Sequence, residues 1–275
     1  MLKFLDEPDS GKNFLIIPVP YERTTSFQTG TEEAPQYLLK ISSQLELFDS
    51  ELGFEVFPQA GISTADPVKV DTEDPAEAMQ YMEEKFLALL QKETFPIFIG
   101  GEHSLTLPAA RALRKILGPF SLIYLDGHLD LREEYEGNKF SHACVARRLV
   151  EEGFRIYFIG SRCYSKEELD FAENNSSLFL LDGLDELPKN EKFYLSFDFD
   201  VIEPSVFEAA TAPCPWGLNL AEVKEILKKA SSFDLVGADF VEFMPVPFAS
   251  SGIIAVDLIY KFIGWVYENK KGGKG

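Results

Sequence analysis

The sequence predicts an open α/β fold in which helices cover both faces of a sheet of parallel strands. Strand-like and helix-like segments alternate along the chain, which favours helices on both sides of one sheet. Several strand candidates are apolar at consecutive positions, as is typical of parallel strands buried on both faces. No internal repeat or low-complexity linker divides the 275 residues. We therefore expect a single domain spanning residues 1–275.

The individual elements follow from the apolar periodicity. Short apolar runs predict strands at Asn13–Val19, Phe54–Phe57, Phe95–Ile99, Ser121–Leu125, Arg155–Ile159, Phe193–Phe197 and Leu235–Val241. Helical spacing predicts helices at Ala34–Phe48, Pro75–Lys92, Leu105–Leu117, His142–Glu152, Lys166–Asn174, Leu220–Ala230 and Ile253–Tyr267. The Lys- and Gly-rich tail at residues 270–275 is expected to be frayed.

Composition limits the classes of partner. A hydrophobic content of 45% is sufficient for a sizeable core in a globular protein. The net charge of −19 makes nucleic acid a poor partner. Two interpretations of this charge are open: it attracts a cationic substrate, or it only keeps the protein in solution.

Other features exclude further classes. No run of 18 apolar residues predicts a membrane span, and the first residues do not resemble a signal peptide. No G-x-G-x-x-G motif follows the first strand, which argues against a dinucleotide-binding protein. The cysteines, Cys144, Cys163 and Cys214, are odd in number and lack metal-site spacing. They predict three reduced thiols in a cytoplasmic protein.

Polar residues follow four of the predicted strands, at the end where open parallel sheets bind ligands. After the strand ending at Ile99, Gly100 and Gly101 allow a tight turn and place His103 at the exit. One histidine at such a position is usually an ordinary surface or core residue. The other strand ends therefore decide whether His103 belongs to a site.

Two of these strand ends carry carboxylates two residues apart. Asp126, His128 and Asp130 project to the same side of an extended chain, as do Asp198 and Asp200. Carboxylates buried side by side repel each other unless a cation or proton compensates. Mixed carboxylate and imidazole ligands suit Mn²⁺, Zn²⁺ or Fe²⁺ better than Ca²⁺. The alternative is a loop in which polar residues alternate by chance. The presence of a second pair, Asp198 and Asp200, makes that alternative less plausible.

Glu242 and the histidine count complete the pattern. Glu242, at the end of the last predicted strand, either pairs with a cationic substrate or is satisfied by a neighbouring backbone. The chain has three histidines. Two of them, His103 and His128, lie in the strand-end motifs, and His142 follows shortly after the second motif.

These motifs resemble those of the ureohydrolase family, which includes arginases and agmatinases. The matching stretches are Gly100–Ser104, Asp126–Asp130, Ser196–Asp200 and Val241–Glu242, together with Val19–Tyr21 and Gly30–Thr31 near the N-terminus. The resemblance covers nearly the whole chain. It implies a three-layer α/β/α domain with a mainly parallel sheet and two divalent metal ions, expected to be Mn²⁺. It also implies a homo-oligomer, either a trimer or a hexamer.

The resemblance also implies a role for each residue. His103 and Asp130 would bind one ion, His128 and Asp200 the other, and Asp126 and Asp198 would bridge the two. Glu242 would bind the guanidinium group of the substrate. His142 would contact the substrate and relay a proton to the leaving amine, and Asp126 would carry the proton of the attacking water.

The segment from Glu134 to His142 resembles agmatinases most closely. The chain also lacks the asparagine that arginases have two residues after the position of Asp130. The resemblance thus favours the splitting of agmatine to putrescine and urea, or of aminopropylagmatine to spermidine and urea, in polyamine biosynthesis. Arginine, guanidinobutyrate and formiminoglutamate are alternative substrates.

The chain departs from the family in the stretch Glu208–Pro213. Many relatives have a Pro-Gly-Thr-Gly-Thr-Pro loop there, whereas this chain has Glu208 for the proline, and Ala209 and Thr211 for the glycines. Loss of glycine restricts the backbone and predicts a reshaped substrate loop. A metal-binding protein that has lost catalysis is therefore a further alternative. The presence of all six ligands with His142 and Glu242 argues against it.

Overall fold

Eight parallel strands form the central sheet of the computed structural model, which describes residues 2–246 and 250–272. In chain order the strands are β1 Phe14–Val19, β2 Phe48–Asp49, β3 Phe54–Glu55, β4 Ile62–Thr64, β5 Phe95–Gly100, β6 Ser121–Leu125, β7 Ile156–Ile159, β8 Leu178–Leu181, β9 Lys192–Asp198 and β10 Asp234–Val241. The sheet has the order β4-β1-β5-β10-β9-β6-β7-β8, and β2 and β3 pair separately as an antiparallel hairpin.

Helices cover both faces of this sheet. They are α1 Ala34–Ser42, α2 Val56–Ala60, α3 Pro75–Leu89, α4 Thr106–Leu117, α5 Val145–Glu151, α6 Lys166–Glu173, α7 Leu220–Ala230 and α8 Ser251–Gly272. Short 3-10 helices lie at Phe4–Asp6, Thr31–Glu33, His103–Leu105, His142–Cys144, Leu184–Glu186 and Phe199–Val201. Within the described ranges, no helix is both long and apolar enough to cross a bilayer.

The sheet is apolar on both faces because successive side chains point in opposite directions. In β5, Ile97 and Ile99 pack into the core formed with α1, α2, α7 and α8. Phe98, between them, packs into the core formed with α3, α4 and α5. The predicted three-layer α/β/α fold with a parallel sheet is confirmed.

Some predicted elements are wrong at their boundaries or in type. Only Phe54–Glu55 of the predicted strand Phe54–Phe57 is extended, and Val56–Ala60 is a helix. Its first turn contains Pro58, which is tolerated there because first-turn N–H groups have no intrahelical acceptor. The edge strands Ile62–Thr64 and Leu178–Leu181 were not predicted, because they are too short to show a clear alternation of apolar and polar residues.

Two helices, α1 and α8, also end at residues other than those predicted. α1 ends at Ser42 rather than Phe48, because the chain turns there into the β2–β3 hairpin. α8 continues to Gly272, whereas the predicted helix ends at Tyr267. Residues 273–275 lie outside the described residues.

The strand order brings all four polar strand ends together. The strands that carry them, β5, β10, β9 and β6, are consecutive neighbours in the middle of the sheet. Since these strands are parallel, their carboxyl ends meet at one edge. The fold therefore places the predicted ligands within a few strand spacings of one another.

The backbone at the end of β5 is held by a close approach between two segments. Gly101 lies against Tyr21, whose carbonyl oxygen accepts a hydrogen bond from the Glu102 N–H at 2.9 Å. The Gly101 carbonyl accepts a hydrogen bond from the Glu242 N–H at 3.0 Å. A Cβ atom at position 101 would lie 1.9 Å from the Tyr21 carbonyl oxygen. This exit therefore requires glycine.

We expect Gly101→Ala to force the β5 exit away from Tyr21 and to lower the free energy of unfolding by about 1–3 kcal/mol. Gly183→Ala is the matched control, because its Cβ meets nothing within 4 Å and its backbone is extended. The control should stay within about 0.5 kcal/mol of the parent. Urea unfolding of the three proteins measures both values, and equal stability of the two variants would refute the steric argument.

Candidate metal and substrate site

His103 lies at the centre of the strand ends. Its ring stacks on that of Tyr124 from β6, with centroids 4.7 Å apart and planes 11° apart. Its Nδ1 atom lies 3.1 Å from Asp126 Oδ2, 3.1 Å from Asp198 Oδ2 and 3.3 Å from Asp130 Oδ2. One ring nitrogen thus faces three carboxylates from two neighbouring strand ends.

His128 forms a second group with two of the aspartates. Its Nδ1 atom lies 2.7 Å from Asp200 Oδ2 and 3.5 Å from Asp126 Oδ1. Backbone N–H groups orient these carboxylates: Gly127 donates to Asp200 Oδ1 at 2.8 Å, and His128 donates to Asp126 Oδ1 at 2.6 Å. The turn after β6 therefore builds the group as well as supplying two of its members.

Asp130 and Asp198 are also held by local contacts. Asp130 has a positive φ of 50°, which turns its side chain back towards Tyr124, and the tyrosine hydroxyl donates to Asp130 Oδ2 at 2.8 Å. Asp198 ends β9, and its Oδ1 accepts a hydrogen bond from the Asp200 N–H at 2.8 Å. Asp198 Oδ2 remains directed at His103.

The electrostatics of the cluster show an excess of buried negative charge. Burial, with the neighbouring Asp200 and Asp126, raises the pKa of Asp198 well above its ordinary value. Although burial lowers the pKa of His103, the surrounding aspartates raise it well above its ordinary value. Burial also opposes the charged form of His128, yet Asp200 and Asp126 raise its pKa to about 12. Both imidazoles lie in surroundings that favour a positive charge.

The donor set fits two divalent cations. His103, Asp126 and Asp130 offer ligand atoms within 4.8 Å of one another, and so do Asp126, His128 and Asp200. Asp126 is shared by the two groups, and its buried Oδ2 has no hydrogen-bond partner among the described residues. An orphaned carboxylate oxygen of this kind is the atom that a cation would satisfy. The nitrogen and oxygen donors suit a first-row divalent ion.

Glu242 lies beside His103 at the end of β10. Its backbone φ is 60°, and its side chain is buried. Glu242 Oε1 accepts a hydrogen bond from the His103 N–H at 2.7 Å, and Oε2 accepts one from the Thr211 hydroxyl. Burial raises the pKa of Glu242 to about 7. Each oxygen retains capacity for a further donor, since an ionised carboxylate accepts about four hydrogen bonds.

His142 lies at the start of the 3-10 helix His142–Cys144. Its N–H donates to Thr24 Oγ1 at 2.9 Å, and its Nδ1 lies 3.2 Å from the same oxygen. The Thr24 hydroxyl donates to the buried Glu102 at 2.9 Å. Tyr135 packs edge-on against the His142 ring at a centroid distance of 5.9 Å. The ring is therefore fixed from the N-terminal segment as well as from its own helix.

A cavity of about 370 Å³ joins these residues. Seven predicted site residues line it: His103, His128, Asp130, His142, Asp198, Asp200 and Glu242. Asp126 lies behind them, 1% exposed. The structure thus brings together all eight residues that the motifs single out.

The sequence did not single out several residues that shape the cavity. Arg132 and Glu168 line its outer wall, with Arg132 Nε 3.9 Å from Glu168 Oε2. Thr211 was predicted only as a loop residue, and its contact with Glu242 was missed. The presence of a hydroxyl residue where the family has glycine was the one feature of the sequence that could have indicated this contact.

The prediction of three reduced thiols is wrong. Cys163 and Cys214 form a disulfide across 51 residues of sequence, and Cys144 is free and buried. The bond joins the segment after β7 to the residue that follows the altered stretch Glu208–Pro213, and the fold brings these two segments close together. The spacing of cysteines along the chain carries no information on that proximity.

The family model "Arginase family" matches residues 12–264. The N(1)-aminopropylagmatine ureohydrolase of Thermus thermophilus is 33% identical over 94% of this chain and 92% of its own length. An agmatinase of Pyrococcus horikoshii is 31% identical, over 82% of this chain and 83% of its own length.

Solved structures agree with this relationship. The agmatine ureohydrolase of Thermoplasma volcanium superposes with a TM-score of 0.85 at 26% identity, over 99% of this chain and 96% of that one. The proclavaminate amidino hydrolase of Streptomyces clavuligerus, at 23% identity, shares the fold, with a TM-score of 0.89 over 98% of each chain. With the match of the family model over most of its length, the chain belongs to the arginase family.

Proposed function

We propose that this chain is a binuclear-metal hydrolase that splits agmatine or aminopropylagmatine with water into urea and an amine. The observation that carries the proposal is the cluster of two imidazoles and four carboxylates beside the buried Glu242, within one cavity. The names of the relatives from Thermus thermophilus and Pyrococcus horikoshii support the same reaction.

In this proposal His103 and Asp130 hold one divalent ion, His128 and Asp200 hold the other, and Asp126 and Asp198 contribute to both. When bound, such a pair of ions supplies Lewis-acid activation of water near neutral pH. Asp126 has an orphaned Oδ2 in the middle of the cluster. The Asp126 carboxylate, which belongs to both ligand groups, would accept the proton of the attacking water.

Glu242 binds the guanidinium group. Its carboxylate is held by the His103 N–H and the Thr211 hydroxyl, so it presents its remaining lone pairs in a fixed direction. Charge-assisted hydrogen bonds from the guanidinium N–H groups to this carboxylate fix the angle of the substrate. The developing bond then forms between the water oxygen and the guanidinium carbon.

His142 completes the reaction. The bond between the guanidinium carbon and the alkyl-bearing nitrogen breaks, and that nitrogen takes up a proton as it leaves. His142 lines the cavity and is fixed by Thr24, so it is placed to give this proton and to contact the substrate. The products are urea and a free amine.

The outer wall favours a substrate without a carboxylate. Of the described residues that line the cavity, Arg132 is the only Lys or Arg, and it faces Glu168. A substrate carboxylate would have to compete with Glu168 for Arg132. The net charge of −19 attracts the amine of agmatine or aminopropylagmatine rather than a carboxylate. Arginine, guanidinobutyrate and formiminoglutamate are correspondingly disfavoured.

The same proposal includes several further features, which the sequence or the family resemblance predicts. They are Mn²⁺ as the native metal, a role in polyamine biosynthesis, a cytoplasmic location, one domain over residues 1–275 and assembly into a homo-oligomer, either a trimer or a hexamer. A protein that binds metal and has lost catalysis is the competing function. The contact of Thr211 with Glu242 weighs against it, because the altered loop still supports a residue of the site.

The test is urea release by Mn²⁺-loaded protein offered agmatine, aminopropylagmatine, arginine and guanidinobutyrate in parallel. We expect urea from one or both of the first two substrates. Asp198→Asn should abolish urea release and reduce the bound metal, because it removes a buried ligand charge. Asp66→Asn, at an exposed aspartate, is the matched control and should keep full activity. Two bound ions without urea from any substrate would favour the competing function.

Thr211→Val should lower kcat/KM about tenfold, in line with the loss of one hydrogen bond to a charged group, about 1.5 kcal/mol. The valine keeps the shape of threonine but cannot donate to Glu242 Oε2. Thr211→Ser retains the hydroxyl and should stay close to the parent. Steady-state kinetics of the three proteins with the accepted substrate measure the effect. Equal losses in the valine and serine variants would show that the methyl group matters rather than the hydrogen bond.

A further inference from the structure

Asp239 is a fully buried carboxylate behind the site that the proposed reaction does not use. It lies on β10 and is 0% exposed. Its Oδ1 accepts a hydrogen bond from Ser196 Oγ at 2.8 Å. Its Oδ2 accepts hydrogen bonds from Thr106 Oγ1 and Tyr194 OH, each at 2.8 Å. Three hydroxyl donors thus compensate the burial of this carboxylate.

Ser196 links this carboxylate to the metal site. Its Oγ lies 2.8 Å from Nε2 of His103. A hydroxyl has a single hydrogen, and Ser196 gives it to Asp239. The Ser196 oxygen can therefore only accept from the imidazole, so Nε2 carries the hydrogen. Thr106 Oγ1 lies 3.3 Å from Ser196 Oγ but uses its own hydrogen on Asp239.

The consequence for His103 is a defined tautomer. With its hydrogen on Nε2, the neutral ring has its lone pair on Nδ1. Nδ1 is the atom that faces Asp126, Asp130 and Asp198. The ring plane is fixed separately by stacking on Tyr124. Tautomer and orientation together present one lone pair to the place where the carboxylates converge.

The sheet itself sets this arrangement. Ser196 is paired in register with Asp239 on one side and with Tyr124 on the other. The three residues therefore stand in one row across β10, β9 and β6. Polar side chains in such a row are unusual within a buried parallel sheet, where apolar residues are the rule. Their position directly beneath His103 explains why this part of the sheet carries polar side chains.

We propose that Asp239, acting through Ser196, is a positioning residue that fixes His103 as an Nε2–H imidazole so that Nδ1 binds a metal ion. This inference rests on the proposed function, since it presupposes that the cluster holds metal. Residues that orient a metal-bound histidine commonly affect metal affinity about 10- to 100-fold. Ser196 hydrogen-bonds to His103, and none of its side-chain hydrogen bonds within the described residues is to His128, so one of the two ions should be affected.

The experiment is a calorimetric titration of the metal-free protein with Mn²⁺. Ser196→Ala should weaken one of the two bound ions about 10- to 100-fold and leave the other within about threefold. Asp239→Asn keeps the size of the side chain and removes its charge, and should weaken the same ion. Tyr194→Phe removes a donor from Asp239 Oδ2 without touching Ser196, and should leave both ions within about threefold of the parent.

A double mutant identifies the affected ion. His103→Ala should lose the same ion, and adding Ser196→Ala to it should cause no further loss, since coupled residues are not additive. Unchanged affinities in Ser196→Ala would overturn the proposal. So would equal weakening of both ions together with a lower melting temperature of the metal-free protein, because that pattern marks a general structural role. A parent that binds no metal would instead contradict the proposed function.

Discussion

The structure depends on how four carboxylates can be buried together at one edge of a sheet. Asp126, Asp130, Asp198 and Asp200 are each at most 7% exposed, and like charges at such distances repel strongly in a medium of low polarity. Two imidazoles and several backbone N–H groups offset part of this repulsion. The remainder is the reason that the cluster suits divalent cations.

The parallel sheet makes that crowding geometrically simple. Neighbouring strands lie about 4.8 Å apart, so side chains from adjacent strand ends meet without long loops. The turns that follow β6 and β9 are tied by backbone hydrogen bonds to their own carboxylates, and the turn that follows β5 is tied to Glu242 at the end of β10. Rigid elements that carry the ligands and backbone contacts that orient them are what a preorganised site requires.

Much of this arrangement could be predicted from the sequence because each motif is local. Asp126, His128 and Asp130 lie within five consecutive residues, and the apolar run before them marks the strand end. Strand order is not local, and no apolar pattern shows that β10 lies between β5 and β9. The motifs alone therefore predicted the ligands, while the family resemblance was needed to assign them to a common centre.

The features that were missed depend on contacts between distant segments. The disulfide between Cys163 and Cys214 and the hydrogen bond from Thr211 to Glu242 each join parts of the chain that only the fold brings together. Asp239 falls within the predicted strand Leu235–Val241 and was not singled out, because a buried carboxylate behind a site and one within it look alike in sequence. Its three hydroxyl partners come from two other elements, Thr106 from α4 and both Tyr194 and Ser196 from β9.

The proposed site divides into a metal-binding half and a substrate-binding half, which are supported by different parts of the chain. The metal half rests on the sheet, through the row of Tyr124, Ser196 and Asp239. The substrate half rests on loops: Ala210 of the altered loop pairs with the segment after Glu242, and Arg162 donates to the carbonyl oxygens of Cys214 and Pro215. Changes in that loop can therefore alter the fit of the substrate while the row beneath the metal ligands stays in place.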